Sequence, residues 1–122
     1  MATTDQHIAD EMWRELQDCV VHEWENHMAV APEVASSYVT LHGFYGSLHL
    51  RFDPERRSVH VALRPCCERE DCPTPVLKRD IFYESIIKSD GRRGWRRDNF
   101  EHSQEGMAHL VIYHLLKHRG PA

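Results

Sequence analysis

From Ser37 to Cys72 apolar and polar residues alternate through short runs, and this period of two constrains the fold more than any other feature of the chain. The runs read as an antiparallel meander. Around a turn made of Pro54, Glu55, Arg56 and Arg57, Phe52 can face Val59, Leu50 can face Val61 and Leu48 can face Leu63. One face of the sheet is therefore apolar, while the other carries His49, Arg51, His60 and Arg64. Tyr38 to His42 supplies the first strand, with Val39 and Leu41 on one side and Tyr38, Thr40 and His42 on the other. A turn bracketed by Gly43 and Gly46 follows, and Phe44 and Tyr45 at its tip either fold back over the core or anchor a partner. The segment Asp80 to Lys88 is rich in β-formers, and its apolar residues do not gather on one side of a helical wheel. A fourth strand is expected there, followed by a loop from Ser89 to Gly94 punctuated by Asp90-Gly91.

An apolar sheet face needs a cover, and the two ends of the chain supply it. Ile8, Met12, Leu16, Cys19, Val20, Trp24 and Met28 recur at helical spacing before Pro32, with Thr3 and Gln6 in the positions of a capping box. Near the other end, Met107, Leu110, Val111, Ile112, Leu115 and Leu116 form a second helix, capped by Asp98 with Glu101 or by Ser103 and stopped by Gly120-Pro121. So apolar a helix is either deeply buried or partly covered by another subunit. The fold expected is α+β: an antiparallel sheet of three to four strands, with N-terminal and C-terminal helices packed on one face. At 122 residues and 41% apolar content the chain fits a single domain, 1–122.

Charge is distributed unevenly along the chain. Residues 1 to 34 hold eight acidic side chains against Arg14 alone, whereas the remainder is mildly basic, giving −4 overall. That asymmetry suits self-complementary docking, including a homodimer, and argues against a surface that coats DNA. No run of residues approaches the eighteen or so of a membrane span, and the start lacks the pattern of an export signal. A cytoplasmic protein with four reduced cysteines is the expectation.

Three clusters could carry chemistry. Cys66, Cys67 and Cys72 lie between Pro65 and Pro73, where thiolates could hold zinc or act as a redox switch. Their spacing is not that of paired zinc ligands, and Glu68, Glu70 and Asp71 between them disfavour a reactive thiolate. The histidines form the second group. His22 and His27 are five apart and diverge by about 140° around a helix, so they are not a metalloprotease pair. His114 and His118 have the i, i+4 spacing of a metal pair, with His49 and His60 as conceivable further donors.

The third cluster is Arg92, Arg93, Trp95, Arg96 and Arg97, four arginines around an indole. Such a group can grip phosphates and stack on a base, or serve as a protein hot spot, or dock onto the acidic first helix. No nucleophile, base and acid can be placed in a triad, and there is no phosphate-cradling glycine loop. The sequence therefore points to a small non-catalytic binding or regulatory module, of a size and arginine usage that suit a bacterial or phage protein. Its expected partner is a protein, met through the Arg92 to Arg97 stretch and the Phe44-Tyr45 turn. A zinc or thiol-redox regulator and a nucleic-acid binder are the alternatives.

Overall fold

The computed structural model describes residues 2–28, 30–43, 46–65 and 81–117. Its elements run β1 (Ala2–Thr3), α1 (Gln6–His27), β2 (Glu33–Val34), β3 (Tyr38–His42), β4 (Gly46–Asp53), β5 (Ser58–Pro65), β6 (Ile81–Ile87), β7 (Arg93–Arg97), β8 (Phe100–Ser103) and α2 (Gln104–Lys117). Strands β2 to β8 lie side by side in chain order, every neighbouring pair antiparallel, and β1 adds to β6 off that path. This is an α+β fold built on an antiparallel sheet. The sheet has more strands than the three to four expected.

The meander has the register that its alternation dictates. Phe52 is paired with Val59, Leu50 with Val61 and Leu48 with Leu63. All six side chains are buried, as are Val39 and Leu41 on β3. The turn is held by Asp53, whose carboxylate accepts from the backbone N–H groups of Glu55 and Arg56, and it closes with Arg57 in the left-handed region at φ 51°. Asp80 to Lys88 does hold a strand, β6, which pairs with β5 through its first half and with β1 and β7 through its second.

The additional strands come from segments that lack a plain alternation. Strand β7 occupies what was expected to be the end of a loop and the basic cluster beyond it, and turns through Asp98 (φ 54°) into β8. Gly94 is required in β7. A Cβ there would meet the carbonyl oxygen of His102 on the adjacent strand and the aliphatic chain of Lys88. At the other end of the chain, Thr3 joins β1 and leaves the capping role to Asp5, whose carboxylate accepts from the Ile8 N–H at 2.7 Å. Thr4 then anchors the start of the chain. Its hydroxyl lies 2.6 Å from that of Ser85, which donates to the Arg57 carbonyl at 2.7 Å, while Arg57 donates to the Thr4 carbonyl. Thr4 and Ser85 are both buried, so these bonds satisfy groups that would otherwise be stranded.

Both helices contribute to one core cluster with the apolar sheet positions. Trp13 of α1 stacks on Phe52 with ring centroids 5.6 Å apart and donates to the Ser36 carbonyl, and Gln17 donates to the carbonyl of Ala35. Met107, Ala108, Val111, Ile112 and Leu115 of α2 are buried within the same chain. Ser103, rather than Asp98, serves its N-terminus by accepting from the Gly106 N–H at 3.0 Å.

Candidate functional site

The Arg92 to Arg97 stretch is largely committed to the fold. Trp95 has no exposed surface, and its indole N–H donates to Gln104 Oε1 at 2.6 Å, while the Gln104 amide donates to the Met12 carbonyl. The indole that could have anchored a partner is thus a core side chain joining β7, α2 and α1. Arg93 reaches the acidic helix, 3.0 Å from Glu11 and 3.7 Å from Glu15. Part of the charge asymmetry is thus met inside the molecule. Arg96 faces Glu84 across the strands and pairs with it at 2.5 Å. Arg97 hydrogen-bonds Tyr83, partly offsetting the burial that pushes the Tyr83 hydroxyl above its ordinary pKa. Arg92 is exposed, and its backbone N–H and the Lys88 ammonium hold the Asp90 carboxyl below the usual range.

With the apolar face covered, the opposite face of the sheet carries a row of polar and aromatic side chains. Strand register places Tyr38 beside Arg51, Arg51 beside His60, and His60 beside Phe82, a row across β3, β4, β5 and β6. Neighbouring strands are ~4.8 Å apart, so the row spans roughly 14 Å. Tyr38 and Phe82 are 42% and 39% exposed, less than Phe100 and Tyr113 elsewhere in the chain, and they bracket the row. The His60 and Phe82 rings stack with centroids 4.8 Å apart, and the Arg56 guanidinium lies 3.9 Å from the centre of the Phe82 ring. Neither Arg51 nor Arg56 forms an ion pair with a described carboxylate.

Two concavities flank the stacked pair. One, of about 210 Å³, is lined by His49, Arg51, His60 and Ala62. Beside it, His49 is held by Ser47 and Thr40 at 2.9 and 3.2 Å. The other, of about 520 Å³, is lined by Arg56, Ser58, Phe82, Glu84, Arg96, Arg97 and Asp98. Ser58 is 4% exposed, and its hydroxyl has no hydrogen-bond partner among the described residues.

A separate groove follows the contact between the helices. Glu23 of α1 accepts from His27 of its own helix and from His109 of α2, each at 3.1 Å, which straps the two together. Beside this strap, burial and the carboxylates of Glu105, Asp18 and Glu15 push the Cys19 thiol up, the opposite of what a nucleophile needs. His102, which faces the same groove, is pushed down by burial and stays neutral near pH 7. Among the described residues no three or more His, Cys, Asp or Glu side chains are placed to hold a metal ion. His49 and His60 lie on the face of the sheet opposite the buried core positions. Cys66, Cys67 and Cys72, the Phe44-Tyr45 turn and His118 lie outside the described residues.

The open-face row was missed in the sequence because its members come from four strands, and register alone brings them into line. His49, Arg51 and His60 were legible as one polar face. Phe82 was not, because the pairing of β6 with β5 cannot be read from alternation. No family model, curated protein or solved structure matches the chain. No helix among the described residues is long and apolar enough to cross a membrane.

Proposed function

We infer that the protein is a non-catalytic binding module that captures an extended acidic segment of a protein partner on the open face of its sheet. The observation that carries this reading is the row Tyr38, Arg51, His60 and Phe82, with Arg56 set over its end. The row contains no carboxylate. An Asp- or Glu-bearing segment laid across it meets Arg51 and Arg56 without a like charge between them, and finds exposed aromatic surface at both ends. The reading keeps the protein partner and moves the centre of the contact from the Arg92 to Arg97 strand to the neighbouring strands β3 to β6. A base-stacking platform for nucleic acid is less well supported, because the Phe82 ring is already engaged by His60 and Arg56. Zinc or thiol-redox control would rest on Cys66, Cys67 and Cys72.

The test is capture of an Asp- and Glu-rich peptide by the full chain. Arg51→Ala and Phe82→Ala are each expected to weaken capture by about tenfold or more, with Arg93→Ala close to wild type. Equal capture by all three variants would refute the assignment of the face.

A further inference from the structure

We propose that the concavity between Arg56 and Arg96 on this face is a phosphate-binding subsite. It rests on the open-face reading for its setting, and it names the chemistry of the group that the setting would select. Three features converge on the pocket of about 520 Å³. Arg56 is held against the Phe82 ring, and a guanidinium stacked in this way keeps the N–H fork at its edge for an oxyanion. Arg96 is steadied by Glu84 in the pair directly across the strands. The hydroxyl of Ser58, an almost wholly buried residue of the pocket wall, has no hydrogen-bond partner among the described residues. A buried donor without a partner is uncommon in a folded protein, and a ligand oxygen would satisfy it. The Ser58 oxygen is covered in this structure, and a ligand reaches it when side chains of the pocket wall move aside.

The donor set discriminates between anions. Two guanidinium groups and a hydroxyl approach from different elements, the β4–β5 turn, β5 and β7, which suits a tetrahedral group with several oxygens better than a planar carboxylate. Arg56, Arg96 and Arg97 outweigh Glu84 and Asp98 by one charge, so the wall favours an anion while Glu84 limits how tightly it is held. The phosphate could sit on a side chain of the captured segment or on a free phosphorylated small molecule. Both sources present the same chemistry to the pocket.

The test titrates the full chain with inorganic phosphate, with phosphoserine, and with an acidic peptide in phosphorylated and unphosphorylated forms. Saturable phosphate binding is expected, weakened about tenfold in Arg56→Gln, reduced in Ser58→Ala and strengthened in Glu84→Gln, which removes the opposing charge. Ser58→Ala should melt no earlier than wild type without ligand, because it deletes an unpartnered group, and this separates a binding defect from a folding defect. A preference for the phosphorylated peptide identifies the partner segment as the source. Phosphate binding with no capture of either peptide leaves the subsite standing, assigns it to a small molecule and removes the partner reading. Capture of both peptides alike, with no saturable phosphate binding or with binding unchanged in Arg56→Gln, overturns the subsite and leaves the partner reading intact.

Discussion

Replacing Trp95 with alanine separates a structural role of the arginine-rich stretch from a recognition role. The indole is wholly buried, and its N–H is bonded to Gln104, which in turn donates to the backbone of α1. Truncating a buried tryptophan costs about 3–5 kcal/mol, and the lost hydrogen bond adds about 1 kcal/mol. The expected destabilisation is therefore roughly 4–6 kcal/mol, a large part of the ~5–15 kcal/mol that holds a domain together. In urea, followed by far-UV circular dichroism, this would move the midpoint down by roughly 2 M or more. Arg93→Ala is the control. Its ion pairs with Glu11 and Glu15 are substantially exposed, at 38% for the arginine side chain, so it should cost no more than about 1 kcal/mol. A Trp95→Ala protein that unfolds within about 1 kcal/mol of wild type would show that the indole is not a core element, and the reasoning would fail.

Other substitutions probe the frame of the sheet. Gly94→Ala sets a methyl group against the His102 carbonyl, a backbone atom that cannot retreat without parting β7 from β8; a loss of about 2 kcal/mol or more is expected, together with faster amide exchange in β8. Ser85→Ala breaks the buried link between Thr4 and Arg57 and should cost about 1–3 kcal/mol in chemical denaturation, since Thr4 keeps only a 3.4 Å contact to the Ser85 carbonyl. Burial lowers the His102 pKa below its ordinary 6.5, so the unfolded chain takes up the proton first. That contribution to stability is complete above about pH 6.5 and is lost as the pH falls towards the lower folded value. His102→Gln should flatten this part of the profile of melting temperature against pH.

Where one face is buried and the other wet, the sequence was readable. Leu48, Leu50, Phe52, Val59, Val61 and Leu63 alternate cleanly, and their cross-strand partners follow from turn length alone. The two helices were readable for the same reason at a period of 3.6, although the buried face of α1 is centred nearer Val20, which brings in Trp13 and Gln17 and leaves Ile8, Cys19 and Met28 only partly buried. Strands β7 and β8 were not readable. Arg93, Arg96 and Arg97 look like a solvated loop until Glu11, Glu15, Glu84 and Tyr83 are brought beside them from distant parts of the chain. The same long-range pairing hides the candidate site. Arg56 and Phe82 are far apart in sequence, and their contact exists only because β5 and β6 pair in one register.

The central claim is that recognition belongs to the open face, and amide chemical shifts of the isotope-labelled full chain, followed while an acidic peptide is added, test it most directly. The account predicts saturating shifts at Tyr38, Arg51, Arg56, His60 and Phe82, with Arg92, Arg93, Trp95 and α1 little changed. Shifts centred on Arg92, Arg93 and the first turns of α1, with the β3 to β6 face silent, would contradict it.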